Sequence, residues 1–428
     1  MINDRGQYPQ PADHNVIDKH SYFFFNFLLQ LSVSMKSFSL SRINRCDFYM
    51  AAWFVYYLQG LLYEVGGTLS TGLLGILFLV SLYYVVLVLQ LKNSPVYFKG
   101  LTLLLLMFTI YGLGYILVSP NIVHYRNGVD MVSYNYIKQV YLSLLSIYPF
   151  YYFSRMGYLD ERKIKFWFYL FIVSATLTYF KIQRDTMFAY DSDDITNNGG
   201  YVILSLFPGL LLFRGKMLKQ FLFLGFIMIF VVMSMKRGTM LVAGVVTVYY
   251  LWEVFKNTSK KTKFWFLILS IIFVFLSVKF IEHLIDTSYY LGLRIENTRE
   301  LNYSGRDDTY SILLNHFLHD SSIVTFILGN GPNATLNICN RYAHNDWLEI
   351  AINQGVLGLC IYAFYWLCFY KTVKKCSNSN IKIGLGILFI IYYMQTLFSM
   401  SYNDMSYLST SVLGYYLANY RNTNICSS

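Results

Sequence analysis

Charged residues are scarce in this chain. Of its 428 residues only 13% are Asp, Glu, Lys or Arg, against 56% that are hydrophobic, so a soluble fold would have to hide more apolar surface than its volume allows. Metal-ligand spacing is absent too. The six cysteines, Cys46, Cys339, Cys360, Cys368, Cys376 and Cys426, form no zinc-type set, and His283, His316 and His319 do not combine with acidic residues at ligand spacing. No metal and no cofactor is therefore expected. The chain shows no internal repeat and no low-complexity tract. Its first apolar stretch, Ser21 to Met35, lacks a small-residue cleavage site and reads as interfacial rather than as a signal peptide. What is abundant is aromatic: 40 Tyr and 35 Phe, many at the edges of apolar runs, where amphipathic rings favour the headgroup layer.

The net charge of +11 does not point to nucleic acid, because the basic residues are gathered on no single face or tail. They lie in short loops between apolar runs. Runs approaching the roughly 17 to 25 residues of a spanning helix fall near 48–63, 71–91, 101–118, 132–153, 166–182, 201–213, 220–235, 238–255, 264–281, 347–370, 383–399 and 406–420. The expected fold is all-α, a polytopic membrane protein of about a dozen transmembrane helices. The division is an N-terminal segment 1–47, helices over 48–281, a large loop 282–346, helices over 347–420 and a tail 421–428. One alternate set of loops holds 21 of the 34 Lys and Arg residues and the opposite set eight. Cytoplasmic loops carry such an excess, so both termini are expected inside and the 282–346 loop outside. Lys138 reads as the only deep charge.

Within that loop, Asp307 to His319 carries Tyr310, Leu313, Leu314, Phe317 and Leu318 at helical spacing. Such a stripe suits a helix lying on the membrane surface, and equally a helix packing on protein. Further on, Asn345 or Asp346 can cap a helix beginning near Trp347, which leaves His344 just outside its N-terminus, a place where anions bind readily.

Taken in order, Lys236-Arg237-Gly238 between two apolar helices, Ser304-Gly305-Arg306, and His344-Asn345-Asp346-Trp347-Leu348 followed by Gly355 and Gly358 form a set that resembles the O-antigen ligase and polymerase superfamily. Members are membrane glycosyltransferases that use undecaprenyl-pyrophosphate-linked sugars. The resemblance covers about the last 200 residues and rests on the order of the motifs rather than on any one of them. It implies a GT-C-like helical fold in the bacterial inner membrane and metal-independent glycosyl transfer at the periplasmic face. The implied partners are lipid-linked oligosaccharide donor and acceptor, membrane lipid and a chain-length regulator protein.

Glycosyl transfer from a lipid pyrophosphate needs cations for the departing pyrophosphate and a base for the attacking hydroxyl. Arg237 is the leading clamp candidate, since it sits with Lys236 at a tight hairpin tip on the side where cations are disfavoured; an ordinary interfacial anchor would look the same. Arg306 could present its guanidinium at a helix start, or simply pair with Asp307, Asp308 or Glu300. Arg126, Arg294, Arg299 and Arg341 are weaker candidates for binding substrate. His344 is the proposed base, because imidazole exchanges protons near neutral pH. Asn345 and Asp346 read as a cap and a histidine-orienting partner, Trp347 as an interface marker able to stack on sugar, and Gly355 and Gly358 as glycines that let helices pack closely. A polymerase is expected ahead of its sister ligase, which moves finished glycan to lipid A-core. A transporter is the reading from a different class, and it lacks the repeated halves expected of one.

Overall fold

The computed structural model describes residues 44–58, 61, 67–118, 123–126, 129–132, 144–188, 199–213, 216–257, 259–287, 306–398 and 407–421. The described chain from Arg45 onward forms one compact unit. It is helical apart from one short hairpin: α1 Arg45–Tyr57, α2 Thr68–Gln90, α3 Tyr97–Val118, β1 Val123–Arg126 paired antiparallel with β2 Val129–Val132, α4 Ile147–Arg155, α5 Glu161–Phe188 and α6 Gly199–Leu204. After a 3-10 turn at Phe207–Phe213 come α7 Met217–Met233, α8 Arg237–Lys256 and α9 Lys260–Thr287. The rest is α10 Arg306–Asn315 with a π turn at His316–Asp320, α11 Ile323–Leu328, α12 Ala334–Cys339, α13 Asp346–Lys374, α14 Ser379–Phe398 and α15 Tyr407–Ala418.

Each apolar run identified in the sequence contains a helix, and among the described residues six helices are long and apolar enough to cross a membrane. These are α2, α3, α8, α9, α13 and α14, the build of a multi-pass membrane protein. Their outer faces fit that reading. In α2, Leu69, Ile76, Leu79, Val86 and Leu89 are exposed, and α9 exposes Phe264, Ile271, Val274, Phe275 and Leu276. In water a surface of that size would drive aggregation; in lipid it is the favourable arrangement. The interior is aromatic, with Tyr97, Tyr148, Tyr362, Tyr365, Tyr392 and Tyr416 fully buried. Their hydroxyls find partners: Tyr97 with Tyr365 at 3.1 Å, Tyr148 with Thr102 at 2.8 Å, and Tyr416 donating to the Pro208 carbonyl at 2.7 Å. A buried pair of Lys163 and Asp47 joins α5 to α1.

One expectation needs correction: the run at 132–153 does not begin as a helix, since Met131 and Val132 belong to β2; Leu144 and Leu145 are helical and α4 follows from Ile147. Lys138 lies outside the described residues. α9 continues to Thr287, while its apolar spanning stretch ends at Phe280.

The largest departure is in α13, which was expected as one span over 347–370. Gly355 breaks it, with φ 67 and ψ −164. The Tyr362 hydroxyl donates to the Asp346 carboxylate at 2.6 Å, and the Trp347 and Tyr362 rings are 5.1 Å apart. In an unbroken helix these positions would be separated by more than about 20 Å. The first leg, residues 346–354, therefore folds back along the second, residues 356–374. At Gly358 a Cβ would press on the side chains of Gln354 and Ile350. Gly355 is thus no packing glycine within one continuous helix; it is the hinge between two.

Candidate functional site

The site is assembled around the first leg of α13, and the reason is visible in its polar residues. Asp346, Glu349, Asn353 and Gln354 are all buried in an otherwise apolar segment. Burying a carboxylate costs several kcal/mol unless it is hydrogen-bonded, so each of these groups organises what surrounds it. Glu349 accepts from the Thr335 hydroxyl at 2.8 Å, from the Ala343 backbone N–H at 2.5 Å and from the Asn353 amide at 3.4 Å. Asn353 in turn accepts from the Ala334 N–H at 3.0 Å. One helix face therefore fastens α12 and the strand-like residues before His344.

His344 stands where that fastening ends. Its φ is 52, a left-handed conformation that few non-glycine residues adopt, though His, Asn and Asp are enriched there. The Glu349 bond to Ala343 holds the chain on one side. On the other, the Asn345 side-chain oxygen accepts from the Trp347 and Leu348 N–H groups at 3.0 and 3.2 Å, the cap anticipated from the sequence. His344 is half-buried, beside that helix N-terminus and level with Tyr362 rather than at the end of the span. Asp346 is fixed by Tyr362. Trp347 is pinned by its Nε1, which donates to the Thr396 hydroxyl of α14 at 3.0 Å, and stands edge-on to Tyr362 and Tyr393. The residue is half-buried.

Arg306 joins this group through Tyr310, one turn further along α10. Tyr310 packs against the buried cluster that holds Ala343; burial pushes its pKa up, and the Arg306 charge and hydrogen bonding with Asn345 pull it back. Leu313 and Phe317 of the same helical segment pack on Ala334, Ala343, Ala351 and Ile352. The helix that starts at Arg306 is thus seated on protein along one face, and Arg306 lies at the edge of the His344 motif. Asp307 and Asp308 occupy its exposed first turn, as the helix dipole favours.

Lys236 and Arg237 open α8, both half-buried. Met235 before them takes φ 53, the Thr239 hydroxyl donates to the Lys236 carbonyl at 2.7 Å, and the Lys236 ammonium sits 5.1 Å from the centre of the Tyr201 ring. The turn packs so tightly on α6 that a Cβ at Gly200 would collide with Ser234. Two spans, α8 and α9, lead from Arg237 to the loop that carries His344, so a chain that crosses twice has both on one side. α8 packs on α14, where Gly386 lies against Tyr249.

Arg126 is on β1, opposite Val129, and β1 lies beside α12. Arg294 and Arg299 fall outside the described residues, and Arg341 is exposed. Among the described residues no group of His, Cys, Asp and Glu is arranged to hold a metal ion. The sequence reading missed Glu349. Its signal was there, a carboxylate inside an apolar run with Asn353 one turn on.

Compared with protein-family profiles and with curated proteins, the chain matches none.

Proposed function

We propose that the chain is an O-antigen type polysaccharide polymerase. It transfers a growing glycan from undecaprenyl pyrophosphate to a lipid-linked repeat unit, at the periplasmic face of the bacterial inner membrane, with both termini cytoplasmic. The observation that carries this reading is the seating of the helical segment that starts at Arg306 on the cluster holding Ala343, next to His344, together with the fold-back of α13 at Gly355. In this reading about a dozen helices cross the bilayer in a GT-C-like arrangement, the shorter ones with their flanking residues.

The chemistry then follows from the groups present. An acceptor hydroxyl attacks the anomeric carbon of the donor sugar, forming a C–O bond as the bond to the pyrophosphate oxygen breaks. His344 takes the hydroxyl proton as that bond forms. The leaving undecaprenyl pyrophosphate gains a negative charge, which Arg306, Arg237 and Lys236 balance from around the site. Arg126 and Trp347 serve the flanking sugars or phosphates. Asn345, Asp346 and Glu349 hold the geometry.

A lipopolysaccharide gel of a deletion strain tests the proposal. Core bearing a single repeat is the expected pattern; core bearing none would make the chain a ligase, and an unchanged ladder would remove it from this pathway. In the complemented strain, Arg237→Ala is expected to lose chain extension by about 100-fold or more, and Arg237→Lys to restore only part of it, because lysine keeps the charge without the bidentate fork. Full extension with lysine would reduce the role of Arg237 to simple charge.

A further inference from the structure

The loop between α10 and α13 contains a surface that glycosyl transfer does not use. From Ser321 to Asn340 there is no charged residue, an unusual composition for a segment outside the spans. Its helix α11 (Ile-Val-Thr-Phe-Ile-Leu) buries no residue at all, and Ile323 is 80% and Val324 65% exposed. Leu318 before it and Leu357 beyond the Gly355 hinge are exposed as well.

Two observations say what covers this face. The first is its level. The Tyr111 hydroxyl donates to the Leu328 carbonyl at 2.6 Å and to the Gln354 carbonyl at 3.2 Å, and Tyr111 belongs to the apolar span Tyr97–Gly114 of α3. The C-terminal end of α11 thus lies within a spanning helix's length, next to exposed Ile110, Leu113 and Leu117 on α3. The second is its backbone. A segment in hydrocarbon must satisfy its own polar groups, and both ends of α11 carry capping bonds. The Ser322 side chain accepts from the Thr325 N–H at 3.2 Å, the Thr325 hydroxyl donates back to the Ser322 carbonyl at 3.1 Å, Gly329 N–H donates to Thr325, and Tyr111 covers Leu328. Gly329 and Gly355 permit the approach, since a Cβ on either would strike the other segment's backbone.

We propose that α11 is a re-entrant wedge whose exposed face docks into the acyl-chain layer of the membrane beside the His344 motif. Lipid chains are its partner, and the wedge places a hydrocarbon surface at the mouth of the site. This assignment requires only that the chain spans a membrane, so it stands or falls apart from the proposed reaction.

The test uses the full-length chain in vesicles of phosphatidylethanolamine and phosphatidylglycerol. An environment-sensitive fluorophore is attached at Ile323→Cys, and separately at Val324→Cys, with Cys339, Cys360 and Cys426 replaced by serine. Brominated phospholipid should remove most of the emission, and aqueous iodide should leave it nearly unchanged. Quenching by iodide with no loss to bromolipid would overturn the proposal, as would protection from both, which would mean that protein covers the face. Should the labelled variants fail to fold, a diazirine-bearing phospholipid photolabels the unmodified chain. Crosslinks in the peptide over 321–330 are expected, and their absence, with crosslinks present on α2 and α9, would refute the wedge.

Discussion

His344→Asn is expected to abolish chain extension while leaving the protein folded and in the membrane. The choice of asparagine follows from the backbone. His344 sits at φ 52, where alanine would add about 1–2 kcal/mol of strain and asparagine is tolerated. A loss seen with alanine alone would therefore mix chemistry with folding. Asparagine keeps a polar side chain of similar reach and cannot act as a base at neutral pH, so the loss expected is that of general-base catalysis, about 100-fold to 10,000-fold. Rates of repeat addition, set beside membrane levels of each variant, are the measurement. Near-normal polymer with asparagine would take His344 out of the reaction.

Gly355→Ala is expected to damage the fold itself. The φ of 67 and ψ of −164 lie in a region reserved in practice for glycine, worth about 1–3 kcal/mol when another residue is forced into it. In addition a Cβ there would run into the Ile327 carbonyl and the Gly329 N–H. The pairing of residues 330 and 331 with 352 and 353, in which the Asn330 N–H donates to the Ile352 carbonyl at 2.9 Å and the Gly331 N–H to the Asn353 carbonyl at 3.0 Å, would have to open. His344 would lose its support from below. Thermal unfolding in detergent should show a clear fall in melting temperature for Gly355→Ala and none for Gly72→Ala, where an added Cβ meets nothing. Equal melting of the two variants would contradict the hinge.

Six helices of spanning length and composition were legible, because lipid imposes a length and a composition that a sequence displays directly. The run at 71–91 became Thr68–Gln90 and that at 383–399 became Ser379–Phe398. The cap at Asn345 was equally readable, being a local hydrogen bond between neighbours in the chain. Gly355 was misread for a physical reason. A Gly-x-x-Gly in an apolar run has the same appearance whether it packs one helix or breaks it, and what decides is the backbone of residues 327–329, distant in sequence. The seat of the helix that starts at Arg306 was hidden in the same way, since it depends on Leu313 and Phe317 meeting Ala343, distant in sequence. Glu349 was readable and overlooked: a carboxylate within an apolar run calls for donors, and Thr335, Ala343 and Asn353 supply them. The stripe running on from α10, left open between membrane and protein, packs on protein through Leu313 and Phe317 and leaves Leu314 and Leu318 exposed.

The central claim is that this chain alone joins lipid-linked glycans. Purified protein reconstituted in proteoliposomes with an undecaprenyl-pyrophosphate-linked repeat unit, and no metal added, should yield glycans of two or more repeats together with released undecaprenyl pyrophosphate, with no product from the His344→Asn variant. Uptake of the substrate into the vesicle lumen without any sugar transfer would contradict the account and make the chain a transporter.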